Sequence, residues 1–315
     1  MRTLVTGVAG FIGSHVAQRL LADGHAVFGV DDFSNGRPEN VPEGVEFLRR
    51  DLSNSRVIDE LPGQVDVILH LAGQASGEKS FDDPLRDLIC NVDSTINLIR
   101  YGILRKARRL IYASSMSVYG AAPDAPIAET HACAPLSCYG VAKLAGEHYL
   151  RIFQERLPFV TFRIFNVYGP GQNMEDLRKG MVSIFLSQAL KSGRVTVKGA
   201  LTRFRDFIYV DDVVEACVRA MTTPAAENQI INLGTGRRTT VEGLLRQIQR
   251  HVDSMSWRVE GSTPGDQTGI FADNAKLAEV VGVNNFISLE DGLRRFADWA
   301  RERIKEHRQG RKNAG

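Results

Sequence analysis

Short apolar runs alternate with stretches of helical period through the first half of the chain. Thr3 to Thr6 reads as a buried strand, and Gly7 to Gly13 as a glycine-spaced turn. Phe11 to Ala22 reads as a helix, with Val16, Leu20 and Leu21 on one face and Gly24 past its end. Ala26 to Val30 is a second strand that closes on Asp31-Asp32, and Val45 to Leu48 a third. Val65 to Leu71 (VDVILHL) is a predominantly apolar run, the signature of a central parallel strand covered on both faces. Leu110 to Ala113 is a strand, Tyr139 to Leu157 a long helix, and Phe159 to Phe165 a strand again. This rhythm predicts an α/β fold: a Rossmann-like, doubly wound parallel sheet with right-handed crossovers.

After Tyr168 the texture changes. Gly169 to Asn173 is a loop and marks a boundary: residues 1–168 form a dinucleotide-binding domain, to which 205–234 return, and 169–315 are mainly a smaller mixed α/β substrate-binding domain. Helices are expected at Leu177 to Leu190 and Asp211 to Met221, with strands at Val195 to Val197, Phe207 to Val210 and Ile230 to Leu233. Thr239 to Glu242 reads as a capping box opening a helix at Val241 to His251. Ser288 to Lys305 is a final amphipathic helix, and Arg308 to Gly315 a frayed tail.

Composition narrows the function. Lys+Arg 39 against Asp+Glu 37 gives a net +2, no electrostatic basis for a nucleic-acid partner. Cys90, Cys133, Cys138 and Cys217 form neither CxxC nor a Cys/His metal spacing, so reduced thiols and no metal site are expected. No apolar run reaches membrane-spanning length, and the first strand starts at once with no room for a signal peptide, which makes the cytoplasm the expected location.

Gly7, Gly10 and Gly13 follow a strand and open a helix. In that context the first glycine permits the turn, the second admits a pyrophosphate and the third allows close helix packing. The phosphates then meet the free N–H groups of the helix N-terminus. Asp31 ends the next strand, placed to accept from both ribose hydroxyls and to repel a 2′-phosphate, so NAD is expected over NADP. Asp32 is the alternative reader. Asp51 ends the third strand and either accepts from the adenine amine or caps the next helix.

Tyr139 and Lys143 lie at i and i+4 on one helix face. Ser115 follows an apolar strand, at the sheet end where α/β folds place chemistry, and can hydrogen-bond both a tyrosine and a substrate hydroxyl.

TGVAGFIGSH, HLAGQAS, YASSMSVYG, YGVAK, FNVYGPGQ, RDFIYVDD and NLGTG occur in this order over residues 6 to 236. With them the chain resembles the NAD-dependent nucleotide-sugar epimerases and dehydratases of the extended short-chain dehydrogenase/reductase superfamily. The DDFSNG segment at 31 to 36 resembles most closely the UDP-glucose 4-epimerase branch.

The resemblance implies an NAD cofactor, a UDP-sugar substrate and 4-epimerisation through a 4-keto intermediate, on glucose and galactose or their N-acetyl forms. Tyr139 would be the acid/base, Lys143 its electrostatic partner and ribose anchor, and Ser115 the hydroxyl shuttle. It assigns cofactor contacts to Gly7, Gly10, Phe11, Ile12, Gly13, Asp31, Asp32, Asn35, Asp51, Leu52, Leu71, Ala72, Gly73, Asn91, Tyr139 and Lys143. It assigns substrate contacts to Ser115, Ser117, Tyr139, Asn166, Arg205 and Asp266. His70 is expected to pack rather than react. A phenol with its ordinary pKa near 10 stays protonated at neutral pH, and forming the phenolate base there costs roughly 4 kcal/mol. Lys143 and the charged nicotinamide are expected to bring Tyr139 down into range. The same resemblance implies a homodimer through the Tyr139 helix and the one before it, with Leu144, Tyr149, Ile152 and Phe153 as apolar material.

Three departures matter. Thr263, in Thr263-Pro264-Gly265-Asp266, stands where the family carries a diphosphate-binding arginine, with Arg258 or Arg203 as the substitute. Ile270 stands at the family's sugar-pocket gate, leaving room for an N-acetyl group. Met116 and Ser117 occupy loop positions where dehydratases and decarboxylases carry acids, which favours epimerisation. The alternatives are another nucleotide sugar or carbon, a dehydratase, and a non-catalytic NAD sensor.

Overall fold

A computed structural model describes residues 1–252, 254–261 and 268–313, with side chains to residue 306. The first half of the chain comprises β1 (Arg2–Thr6), α1 (Phe11–Ala22), β2 (Ala26–Asp31), β3 (Glu46–Arg49), β4 (Val67–His70), α2 (Pro84–Leu88), α3 (Ser94–Arg105), β5 (Arg109–Ser115), α4 (Cys138–Ile152) and β6 (Phe159–Ile164). There follow β7 (Asn166–Tyr168), α5 (Met181–Ser192), β8 (Arg194–Val197), β9 (Phe204–Arg205), β10 (Phe207–Tyr209), α6 (Val210–Ala220) and β11 (Gln229–Leu233). The chain continues through β12 (Thr239–Thr240), α7 (Val241–Gln249), β13 (Ser256–Val259), α8 (Ala275–Val281) and α9 (Leu289–Asn313).

Seven strands form one parallel sheet in the order β3-β2-β1-β4-β5-β6-β11. Both faces are buried, which is why the strands read as continuous apolar runs. Val67 and Leu69 of β4 enter one core cluster, and Ile68 between them enters the other. The strand order reverses between β1 and β4, which opens a crevice at their carboxyl ends. Thr6 pins that edge: its Oγ1 accepts from the Leu71 and Ala72 N–H groups, each at 3.2 Å. Smaller pairings, β7 with β10, β9 with β12 and β8 with β13, extend the wall beyond β6.

Several boundaries differ from the sequence expectation. α4 ends at Ile152, not at Leu157: Phe153, at φ −98° and ψ 7°, leaves helical geometry, and residues 153 to 156 form turns. α5 starts at Met181, after Gly180 at φ +84°, so residues 173 to 180 are free to wrap the crevice. Thr240, not Thr239, caps α7, its hydroxyl accepting from the Gly243 N–H; Glu242 pairs with Arg246 instead of closing a capping box. α9 continues to Asn313, past the expected fray point. Of the apolar residues expected to be available for a partner, Tyr149 and Ile152 are exposed, whereas Leu144 and Phe153 pack into the core. Among the described residues no helix is long and apolar enough to cross a membrane, and no His, Cys, Asp and Glu group is arranged to hold a metal ion.

Candidate active site

One cavity of about 970 Å³ runs along the carboxyl ends of the strands. The glycine turn forms its floor. Gly7 sits at φ +70°, and a β-carbon there would lie 2.8 Å from the Ala72 nitrogen. A β-carbon at Gly13 would collide with the Gly7 carbonyl. α1 begins at Phe11, after the N-cap Gly10 that supplies no side-chain cap, and Gly10 to Gly13 line the cavity, which leaves its first N–H groups available to a ligand there.

Asp31 is buried at the end of β2. Its two oxygens accept from the Ala9 and Phe33 N–H groups at 3.0 and 2.8 Å, while burial pushes its pKa up. Asp31 lines the cavity, and each of its oxygens can accept a second hydrogen bond. Asp32 accepts from the Ser34 N–H and hydroxyl, and Asn35 lies exposed on the rim. Asp51 accepts from the Ser53 N–H at 2.8 Å; Asn54, not Asp51, caps the helical turn that follows. Asp51, Leu52, Leu71, Ala72 and Gly73 all line the cavity.

Ser137 caps α4, accepting from the Gly140 N–H at 3.1 Å, and so sets Tyr139 in the first turn at the cavity wall. Ser115 closes β5 opposite it. The Ser115 hydroxyl pulls the Tyr139 phenol toward its ionised form, donates to the Ser117 hydroxyl at 3.2 Å and accepts from the Ser117 N–H at 3.1 Å. Lys143, 4 % exposed, stands one turn on, with Nζ 5.8 Å from the Tyr139 ring centre and 5.0 Å from that of Tyr112.

Enclosure sets the protonation states of both groups in the protein alone. Burial pushes Tyr139 up to about 12, against the pull of Ser115, and brings Lys143 down to about 8. The protein by itself therefore does not lower the phenol, because enclosure outweighs the neighbouring charge. His70 is structural: Thr6 and Thr95 hydroxyls lie 2.9 and 3.0 Å from its ring nitrogens, and burial lowers its pKa to about 3.

Asn166, Arg205 and Ser117 line the opposite part of the same cavity. Asn166 donates to the Asp206 carbonyl at 3.2 Å and to Met116 Sδ at 3.4 Å. Arg205 is buried, its Nη1 donating to the Phe204 carbonyl at 2.7 Å, and burial beside Arg203 brings it down to about 10. Thr263 and Asp266 lie outside the described residues. Of the two substitute cations, Arg203 lines the cavity, whereas Arg258 pairs with Glu260 on an exposed strand. Ile270 is a correction: it is fully buried with Val118, Ile127 and Phe165 and is not among the residues lining the cavity.

Two groups of residues were not singled out from the sequence. Residues 172 to 180 form a strap over the cavity, tied down by Lys79–Asp176 at 2.7 Å, by Arg178 to Glu78 and Asp82, and by the Ser76 hydroxyl donating to the Arg178 carbonyl. The charged run Glu175 to Lys179 inside a loop was the available signal. Asp87 and Gln74 lie behind Asn91, and the i, i+4 spacing of Asp87 and Asn91 could have disclosed the first of them.

A family model described as the NAD dependent epimerase/dehydratase family matches residues 3–234. A UDP-glucose 4-epimerase of Mycolicibacterium smegmatis is 38% identical, with 96% of this chain and 99% of that protein covered. The crystal structure of UDP-glucose 4-epimerase with UDP-glucose from Thermotoga maritima superposes with a TM-score of 0.92 at 32% identity, covering 96% of this chain and 100% of the other. The UDP-glucose 4-epimerase of Thermus thermophilus, in complex with NAD, does so with 0.88 at 34% identity over 96% and 99%. In sequence and in fold, then, the chain belongs to the NAD-dependent epimerase/dehydratase family.

Proposed function

We propose that this protein is an NAD-dependent nucleotide-sugar epimerase that inverts carbon 4 of a UDP-hexose, with UDP-glucose and UDP-galactose as the pair interconverted. The observation that carries the reading is the convergence of Ser115, Tyr139 and Lys143 on the cavity that the glycine turn floors. The turn fits a dinucleotide, since β-carbons at Gly7 and Gly13 would fill or break the cradle. Gly7 to Gly13 would hold the pyrophosphate, Asp31 the adenosine ribose, Asp51 and Leu52 the adenine, and Leu71 to Gly73 the nicotinamide side, with Asn91 buried behind Gly73 and acting only through it.

When bound, oxidised NAD supplies a hydride acceptor and a positive charge at the nicotinamide. Tyr139, assisted by Ser115, takes the proton from the sugar 4-hydroxyl. Lys143 holds positive charge beside the phenol as it ionises. The keto sugar turns over in the cavity, and Tyr139 returns the proton to O4 after reduction from the other face. Asn166 and Arg205 grip the diphosphate, with Arg203 the substitute for the arginine absent at 263. Met116 and Ser117 have no group able to move a proton at neutral pH, which separates this site from dehydration.

The two-domain division is supported by the return of β11 to the main sheet beside β6. A homodimer is supported by exposed Leu85, Leu88, Val141 and Ile152 on α2 and α4, and cytoplasmic residence by the unpaired cysteines. The test is direct: purified protein with NAD and UDP-galactose should form UDP-glucose, and Tyr139→Phe should not. Absence of product from the folded wild-type protein defeats the reading.

A further inference from the structure

Behind the reacting groups lies a second set of polar side chains that neither the glycine turn nor the Ser115–Tyr139 pair uses. α2 and the π-helical turn Ile89–Asp93 pack against α4. Asp87, on α2, is 1 % exposed. Its Oδ1 accepts from Gln74 Nε2 at 2.7 Å and from Asn91 Nδ2 at 3.4 Å, whereas its Oδ2 has no partner among the described residues. Asn91, also 1 % exposed, has an unpartnered Oδ1. A β-carbon on Gly73 would meet both that oxygen and Lys143 Nζ, the latter at 3.5 Å. An unpartnered buried oxygen of Asn91 thus stands beside the Lys143 ammonium across Gly73, and the unpartnered Asp87 oxygen lies farther back, behind Asn91. An unmade buried acceptor costs about 1–3 kcal/mol, so packing alone gives no reason to keep two of them here.

Resting on the epimerase reading above, we propose that Asp87 is a positioning residue: its carboxylate, clamped by Gln74 and Asn91, is the counter-ion that keeps Lys143 an ammonium beside the Tyr139 phenol.

Enclosure pushes Lys143 toward its neutral form, and Asp87 pushes back. Among the described residues Asp87 is the one carboxylate that acts on it. The other groups facing it give no help: Lys179 repels it, Tyr112 and Tyr139 present rings, and His70 is held neutral. In return Gln74, Asn91 and Lys143 all act against burial to keep Asp87 ionised. The same carboxylate pushes the Tyr139 phenol up, so the effect of removing it has a definite sign to be measured. If its hold on Lys143 governs, neutralising it slows the reaction; if its push on Tyr139 governs, neutralising it speeds the reaction.

Asp87→Asn keeps the shape and removes the charge. The alkaline limb of the kcat–pH profile, where Lys143 loses its proton, should move down by about one pH unit. At pH 8 kcat should fall roughly tenfold, with KM for UDP-galactose unchanged. Asp87→Glu, which retains the charge, should restore the limb. Lysine Nζ NMR on ¹⁵N-labelled protein, with the Lys143 signal assigned by Lys143→Met, should show the same downward move in Asp87→Asn without any turnover. If Asp87→Asn does not fold, Gln74→Leu carries the test. It removes the 2.7 Å donor that favours the ionised carboxylate and should shift both readouts in the same direction. An unmoved limb and an unmoved Nζ midpoint in a folded variant, or faster turnover, overturn the counter-ion assignment while leaving the epimerase reading intact. Loss of the epimerase reading would show instead as an inactive wild-type protein, and the Nζ midpoint would still decide the role of Asp87.

Discussion

Lys143 follows Tyr139 by one turn of α4, and its Nζ stands 5.8 Å from the centre of the Tyr139 ring. The two shifts, Tyr139 up to about 12 and Lys143 down to about 8, have one origin in enclosure. Each group is pushed toward its neutral form, and charge on the bound ligands must reverse the first push before the phenol can act as a base.

Replacing Tyr139 by Phe removes the proton acceptor and leaves the ring in place. Turnover of UDP-galactose should fall by about 10³-fold, the span expected for a positioned general base, with the melting temperature within a few degrees of wild type. A coupled assay for UDP-glucose reads the first and a thermal melt the second. Retained turnover would show that another group moves the proton.

Lys143 should cost the fold stability. Its folded pKa of about 8 lies below the ordinary 10.5, so between those values the unfolded chain binds more protons. The penalty is therefore complete below pH 8 and fades as pH rises from 8 to 10.5, reaching about 3 kcal/mol at neutrality. Lys143→Met should be inactive yet more stable at pH 7, by some 4 °C in Tm, with the advantage shrinking above pH 8. A lower Tm at pH 7 would contradict this.

What could be read from residue order is tied to backbone demands that few residue types meet. Gly7 and Gly13 were legible because a β-carbon at either position has nowhere to go. The sheet was legible because Leu4 and Val5, or Ile68 and Leu69, are buried on opposite faces and leave no polar position between them. Ile270 was misplaced because a motif fixes a position along the chain and not the direction of a side chain. The upward push of burial on Tyr139 was not legible, because charges are visible in a sequence and enclosure is not. Asp87 escaped notice for the same reason: an acid between two leucine-containing turns looks like a solvated face until its burial is known.

Asp31 holds the backbone as well as facing the ribose site. Its oxygens accept from Ala9 and Phe33, so Asp31→Ala should lose about 1–3 kcal/mol of stability through two orphaned N–H groups. Asp31→Asn keeps an acceptor and removes the charge that repels a 2′-phosphate. Isothermal titration should then show the preference for NAD over NADP reduced by roughly tenfold. Unchanged discrimination would move the ribose-reading role to Asp32.

Glu147 and Arg163 form a buried pair, 2 % and 5 % exposed, with Arg163 Nη2 donating to Glu147 Oε2 at 2.7 Å. Ser114, next to Ser115, donates to the same carboxylate, so the pair ties α4 to β5 and β6 directly behind the site. Breaking one side leaves a buried charge uncompensated, and Glu147→Leu or Arg163→Met should each cost about 3–5 kcal/mol in urea denaturation. The double substitution should cost clearly less than the two together, because neither charge is then stranded. Turnover should fall in Glu147→Leu even where the protein remains folded, since Ser115 loses the anchor of its neighbour. Additive costs with unaltered turnover would make the pair an ordinary core contact rather than the frame that aligns Ser115 with Tyr139.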